Sequence, residues 1–477
     1  MVRMLLVILI LVFRCLFGVD WDYLRYKYGC DLSKYLRSIE KCRMSDVTMI
    51  VRYRENHKPV TGALIKIDQI SHDFLFGNAP EYLLFHYAPK CYPASRFGEP
   101  LDQDLLEKYK TYYLRLFNFA TLPAFYWNLY EPRKGELPLR ESAIKVAKWL
   151  KSNNVIIKGH TLVWGNPELG GIPLWVLKEE FENKGSIWKY LQNRVRREIL
   201  DFSDLIDMWD VVNEPITHDW FEKIIGRSYI SQIYNLVKKV NENTLLLINE
   251  YDVLLNKRKR RLYIEKIRDL LENNTPIDIV GVQGNLFLGT SDVKKVISRI
   301  DDIFSSLDEI GRLGLPVHIT EFQIPLHSII SSFSCSEEEA KKIQADIAVI
   351  MYTVFFANPS VEAITYWNLY KAWQKGADLL EKRNNDLVPK PIFYALEDLI
   401  HNEWETHIES FTDDEGRITF RGFHGKYIVK INLKNGKKLE FEIHVKKGEK
   451  NFFILEVDRR GGGLSCSVDQ RSLPFLR

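Results

Sequence analysis

The sequence predicts a (β/α)8 barrel that carries a short N-terminal β-hairpin extension and a small C-terminal all-β module. Three observations predict it. Eight short β-rich runs alternate with helix-period segments over about 330 residues, the spacing of successive βα units. No Gly-x-Gly-x-x-Gly follows the first run, which removes the main support for an open doubly wound sheet. After about Glu405 the helical rhythm stops, and short alternating runs separated by Gly422, Gly425 and Asn435-Gly436 take over.

The elements follow in chain order. Arg3 and the apolar run from Leu5 to Phe13 read as a secretory signal over 1–18. The run is well below the ~20 residues that span a bilayer, so the mature protein is expected to be secreted and free of the membrane. Residues 19–73 form a helical and β-hairpin extension, with β-rich runs over 46–53 and 62–67 around a turn at Asn56-His57-Lys58-Pro59. The barrel is expected over 74–403. Its strands fall at 74–77, 113–120, 155–161, 208–213, 245–249, 279–286, 317–320 and 363–367. Helices lie between them at 101–110, 140–152, 187–201, 229–240, 261–271, 293–313 and 337–356. The basic run Lys257 to Arg261 leads into a helical pattern and reads as the solvated start of that helix. The β module occupies 404–458, with runs at 417–421, 427–433, 438–445 and 452–457, and a loose tail follows over 459–477.

Composition narrows the function classes. The 477 residues hold 66 Lys+Arg against 63 Asp+Glu, a net charge of +3. That balance argues against a nucleic-acid partner held by phosphate neutralisation. Aromatic residues make up 13% of the chain, enough to serve both a core and a stacking surface. Six cysteines are present; with Cys15 in the signal, five remain, an odd number, and Cys30 and Cys42 are the nearest pair that could close a small loop. No Cys-x-x-Cys and no His-Glu-x-x-His occurs, so no metal or other cofactor is expected.

The chemistry is read at the strand ends, where (β/α)8 barrels place it. Glu214 closes the fourth strand in Trp209-Asp210-Val211-Val212-Asn213-Glu214-Pro215. Glu321 closes the seventh in Val317-His318-Ile319-Thr320-Glu321-Phe322. A lone acid at a strand end is commonly a loop ion pair or a helix cap. Two at strands four and seven suit the carboxylate pair that glycoside hydrolysis requires.

These segments resemble the acid/base and nucleophile segments of glycoside hydrolase family 10, the retaining endo-β-1,4-xylanases. Gly159-His160-Thr161-Leu162-Val163-Trp164 is a further specific match, and the resemblance runs over about the whole TIM barrel, from Phe76-Gly77-Asn78-Ala79 to Pro389-Lys390-Pro391. It implies Glu214 as acid/base, Glu321 as nucleophile and Asn213 on the sugar 2-hydroxyl. It further implies His160, Trp164 and Gln283 around the attacked sugar, Tyr251 beside the cleavage site, and Trp367 and Trp373 as walls for a pyranose face. On this reading Glu214 should have a raised pKa, from burial and the second carboxylate, and Glu321 should stay ionised.

Two departures from the family pattern stand out. The family's Glu-Asn-x-x-Lys run on strand two is replaced by Thr121 to Tyr126 ahead of Trp127, and the His expected after Trp164 is Gly165. That turns the glycone side from polar to aromatic through Phe125-Tyr126-Trp127. The family's His–Asp pair around the nucleophile is replaced by Asn285 and Gln323, for which the sequence suggests an amide pair holding Glu321 ionised. The resulting expectation is a secreted, monomeric, cofactor-free retaining β-glycanase acting on a polysaccharide, xylan first. An endo-β-1,4-glucanase is the next reading, and a catalytically silent carbohydrate-binding protein on the same scaffold comes after it.

Overall fold

The computed structural model describes residues 18–288, 292–433, 436–458 and 468–469. Residues 1–17, nearly all of the segment expected as a signal, lie outside them. Among the described residues no helix is long and apolar enough to cross a membrane, and no cluster of His, Cys, Asp and Glu could hold a metal.

The strands run in chain order. β1 (Met44–Tyr53) and β2 (Leu64–His72) come first. β3 (Leu75–Ala79), β4 (Phe119–Leu122), β5 (Ile156–Gly159), β6 (Val163–Trp164), β7 (Met208–Asn213), β8 (Leu245–Glu250), β9 (Ile279–Gly284), β10 (Val317–Phe322) and β11 (Val361–Asn368) follow. β12 (Leu380–Arg383) and β13 (Asp386–Pro389) make a hairpin. β14 (His407–Phe411), β15 (Arg417–Phe423), β16 (Gly425–Asn432), β17 (Lys438–Val445), β18 (Asn451–Val457) and β19 (Val468–Asp469) complete the set. Two compact units result: residues 21–32 and 75–397, and residues 33–74 with those from 398 onward.

The first unit is a closed barrel of eight parallel strands. β3 pairs with β4 and β11, β5 pairs with β7, and the remaining neighbours follow in order through β10. The short β6 continues the third strand segment past a break and rejoins β7. At the N-terminal end of the barrel, Phe119, Met208, Leu247, Ile279 and Ala363 fill the interior as one apolar layer. The helices Arg140–Ser152, Tyr229–Val240 and Glu337–Phe356 have the expected bounds. The last is buried on almost every side, and Ser336 caps it by accepting from the Glu339 amide, with three glutamates in its first turn.

Several expectations need correction. The second strand is only Phe119–Leu122, because residues 113–116 end the helix Gln103–Leu116. Asp102 caps that helix on the Leu105 amide, and its buried residues 105, 106, 109, 113 and 116 keep a helical period that overrides the β propensity of its aromatics. The segment expected as one helix over 293–313 is two, Val293–Ile297 and Ile300–Gly311. The basic run starts the helix Lys257–Glu272, but it is not wholly solvated. Lys259 turns inward to Glu250 at 3.0 Å, and Arg260 to Glu309 at 2.6 Å. Cys30 is a buried free thiol 3.9 Å from the Ile297 carbonyl, so it closes no loop with Cys42.

In the second unit the two flanks of the chain form one structure rather than an extension and a separate module. β1 and β2 do not pair as a hairpin. β1 runs antiparallel to β15 and parallel to β18, while β2 lies between β14 and β16. Each strand alternates apolar and polar residues, so each needs a partner sheet to cover its apolar face. Val47, Met49 and Val51 from one sheet and Ile65, Ile67, Tyr427, Val429 and Phe441 from the other share a single core. β16 and β17 pair as the expected hairpin, with Gly436 in the left-handed region at φ 81°, while Asn435 of the expected Asn-Gly turn lies outside the described residues. Most of the tail lies outside the described residues; 468–469 pair with Ile454 and Leu455.

Candidate active site

The βα loops surround a cavity of about 870 Å³. Every residue assigned to the site from the sequence lines it: Glu214, Glu321, Asn213, His160, Trp164, Tyr251, Gln283, Asn285, Trp367 and Trp373. Strand register brings them together. Asn213 is level with Trp164 on one side and Asn249 on the other, and Gln283 is level with Glu321.

Glu214 follows β7 directly and takes a left-handed backbone, φ 57°. Such a conformation costs about 1–3 kcal/mol in a residue with a side chain. Its amide is held by the Asn249 carbonyl at 2.7 Å, and the following turn closes from the His218 amide to the Glu214 carbonyl at 2.8 Å. The carboxylate accepts from Trp164 Nε1 at 2.8 Å on Oε2 and from Gln283 Nε2 at 2.7 Å on Oε1, and His218 Nε2, which also meets the Asn166 amide at 3.1 Å, lies 3.2 Å from Oε2. Glu321 accepts only two longer amide bonds, from Asn249 at 3.3 Å and Asn285 at 3.4 Å. Asn285 also donates to Gln283 Oε1 at 3.1 Å. A two-amide bridge, Gln283 and Asn285, therefore links one carboxylate to the other.

This donor count reverses the expected proton order. Burial alone would raise Glu214, but the bonds from His218, Gln283 and Trp164 outweigh it and hold the carboxyl below its ordinary value. Burial first, and the Glu214 charge second, push Glu321 up to about 8. The two carboxyls thus titrate as a pair, with burial and the neighbouring charge favouring the protonated form of Glu321 and the converging donors favouring the ionised form of Glu214. Two carboxyls that share a proton can supply both an acid and a nucleophile once a substrate moves that proton to Glu214.

The amide pair expected between Asn285 and Gln323 is not formed. Asn285 faces Glu321, whereas Gln323 is fully buried and donates to Asn368 Oδ1 at 2.9 Å. With no opposite charges to draw them together, the two amides find separate partners.

Other site residues were not assigned from the sequence. Asn249 bonds Asn213 Oδ1 at 2.8 Å as well as Glu321, and accepts from Thr320 Oγ1 at 2.7 Å, which fixes all three strand ends. Glu81 and Arg96 form an ion pair on the cavity wall, with Asn368 donating to Glu81 at 3.2 Å. Of the three aromatics that follow strand two, only Tyr126 lines the cavity, where its hydroxyl lies 3.1 Å from His160 Nε2. Phe125 and Trp127 are buried behind it, Phe125 against Trp209 and Phe202. The other ring nitrogen of His160 meets Asp210 at 2.6 Å, and Asp210 is also paired with the buried Lys158 at 2.9 Å. An i+4 spacing from Glu214 was the only sequence signal for His218; Glu81 and Arg96 carried none.

Gly165 explains how His218 reaches the carboxylate. A Cβ there would sit 2.3 Å from the His218 carbonyl oxygen and 3.3 Å from the Trp220 amide. Only a glycine lets the two loops touch. Gly165→Ala is therefore expected to displace His218, lower the melting temperature by several degrees and cut kcat/KM by about tenfold, the scale of a 1–3 kcal/mol overpacking. Thermal melts and kinetics on an aryl glycoside check this.

Comparison with known proteins agrees with the geometry. Residues 94–399 match the family model described as glycosyl hydrolase family 10. Endo-1,4-beta-xylanase 5 of Arabidopsis thaliana is 26% identical over 293 residues, covering 60% of this chain and 46% of that protein. Endo-1,4-beta-xylanase B of Thermotoga neapolitana is 26% identical over 318 residues, covering 62% of this chain and 84% of that one. The chain spans about half the length of the Arabidopsis xylanases it matches. The crystal structure of xylanase 10B from Thermotoga petrophila RKU-1, in complex with xylobiose, superposes with a TM-score of 0.55 at 24% identity, covering 69% of this chain and 95% of that one, and shares the fold.

Proposed function

The chain belongs to glycosyl hydrolase family 10, and on that ground we propose that it hydrolyses β-1,4-xylosidic bonds, as in xylan, with retention of configuration. One observation carries the reading. Two carboxylates at the ends of the fourth and seventh barrel strands line one cavity and are bridged by Gln283 and Asn285.

In this mechanism Glu321 attacks the anomeric carbon while Glu214 protonates the departing oxygen. Glu214 then deprotonates a water that releases the sugar from Glu321. The substrate moves the shared proton. The leaving oxygen offers Glu214 an acceptor, and the positive charge developing on the sugar ring favours ionised Glu321. Asn249 holds Asn213 for the 2-hydroxyl, while Trp367 and Trp373 offer ring faces to the pyranose. The apolar run behind Arg3 supports export, so the proposed site of action is outside the cell.

A 2-deoxy-2-fluoro-β-xylobioside with a good leaving group tests the reading. It should add one glycosyl mass to the peptide containing Glu321, with xylobiose of retained configuration as the normal product. Labelling elsewhere, or inversion, would overturn the proposal.

A further inference from the structure

One ring nitrogen beside the Glu214 carboxylate is approached from two sides. His218 Nε2 lies 3.2 Å from Glu214 Oε2 and 3.1 Å from the Asn166 side-chain nitrogen. The Asn166 amide can face only one way. Its Oδ1 accepts from the Glu168 and Leu169 backbone amides at 3.1 and 3.0 Å, so Nδ2, which only donates, is the atom turned to the ring. Asn166 is 4% exposed, and its carbonyl takes the Gly171 amide at 2.8 Å. A Cβ at Gly171 would lie 2.3 Å from the Trp164 carbonyl oxygen and 2.8 Å from that of Asn166. The loop after β6 is thus wound tightly around this amide and fixes its direction.

The loop after β7 is held against it. Gly165 bridges Asp219, and the His218 ring stands edge-on to Trp164 at 5.9 Å and beside Tyr251 at 6.5 Å. The other charged groups nearby have partners of their own or face outward. Glu250 holds the Ile216 amide, the Thr217 hydroxyl and Lys259; Asp219 pairs with Lys223; Asp252 accepts from Asn256; Glu168 is exposed.

A ring nitrogen presents either a proton or a lone pair. With its proton on, Nε2 donates to Glu214 Oε2 and favours the ionised carboxylate, while the Asn166 N–H loses its acceptor. With its proton off, Nε2 accepts from Asn166, and its lone pair facing Oε2 favours a protonated Glu214. Glu214 needs both partners in turn, since it carries a proton while the leaving group departs and is ionised when water is drawn in.

We propose that His218 is a positioning residue that matches its Nε2 to each state of Glu214, and that Asn166 sets the balance by stabilising the lone-pair form for the first step. The inference rests on the acid/base role given to Glu214 above. The ring stays neutral throughout: as Nε2 releases its proton to water, Nδ1 takes one up, and the reverse follows. The ring keeps 26% of its side-chain exposure, which leaves it open to that exchange.

The full chain is assayed on xylotetraose, whose leaving sugar needs a proton, and on 4-nitrophenyl β-xylobioside, whose leaving group needs little. Asn166→Ser keeps an oxygen for the turn and removes the N–H that faces the ring. It should cut kcat/KM on xylotetraose about tenfold, the scale of one hydrogen bond, and leave kcat on the nitrophenyl substrate within about twofold. His218→Phe should act on the other step, cutting kcat on the nitrophenyl substrate about tenfold, with azide restoring it. It should also move the acid limb of kcat/KM upward, which Asn166→Ser should not do. Added to His218→Phe, Asn166→Ser should have no further effect, because it acts through the ring. Equal losses on both substrates in Asn166→Ser, or an effect that survives in the His218→Phe background, overturn the proposal. An unmoved acid limb in His218→Phe overturns it too, and decides even where the Asn166 variant does not fold. If the wild type turns over neither substrate, the Glu214 assignment itself fails and takes this inference with it.

Discussion

Glu321→Gln is expected to lower hydrolysis of 4-nitrophenyl β-xylobioside by roughly 10⁴–10⁶-fold, the scale seen when a covalent nucleophile is removed. It should also make the protein harder to unfold in alkali. The carboxyl sits among Asn249, Asn285 and the Glu214 charge, and is pushed up to about 8. A carboxyl raised on folding keeps its proton in the native state while the unfolded chain has already released it. Its stabilising share is present in full below the unfolded value and is lost as pH rises through about 8. The amide carries no such loss. Melting curves at pH 5 and pH 9 should therefore show the variant gaining on the wild type only at the higher pH. Retention of more than about 1% of wild-type turnover would remove Glu321 from the nucleophile role. Equal pH dependence of melting would show that its burial carries no cost.

Glu214→Gln should slow cleavage of unactivated xylosides by about 10²–10⁴-fold, the usual worth of a positioned proton donor. A substrate with an activated leaving group should suffer less at its first step, since little protonation is needed there. Added azide should restore turnover and give a β-glycosyl azide, because it attacks the glycosyl-enzyme without a base. The pH profile adds a second readout. Wild-type kcat/KM should follow a bell, because activity needs one proton on the pair. The alkaline limb falls near 8, where that proton leaves. The acid limb lies below the ordinary glutamate range, because Trp164, His218 and Gln283 keep Glu214 ionised to low pH. In Glu214→Gln the alkaline limb should disappear. The remaining acid limb should fall below 8, because the neighbouring negative charge has gone. An alkaline limb that persists unchanged would place the shared proton elsewhere.

The barrel and both carboxylates could be read from the sequence because their signals are local. β7 and β10 are short buried runs with a glutamate just past the end of one and next to last in the other, and the helix Tyr229–Val240 has one apolar stripe; such periods survive without knowledge of their neighbours. The helix end at residues 113–116 was misread for the opposite reason. Tyr113 favours a strand by propensity, yet its hydroxyl reaches the Asn78 and Phe119 carbonyls only from a helix. Gln323 was misread because replacing a charged pair by amides removes the force that would have oriented it, and a buried Asn368 was within reach.

From the sequence alone came the order of strands and helices, the mouth of the barrel as the site, ten of the residues that line it, and the departure on strand two. Each depends on the spacing and type of residues close together in the chain. Tertiary structure alone decided that the two flanks share one core, that His218 meets Glu214 across a gap only Gly165 permits, and that burial and the neighbouring charge push the Glu321 carboxyl up. These depend on packing distances and on how many donors converge on each carboxylate, and residues far apart in the chain set both.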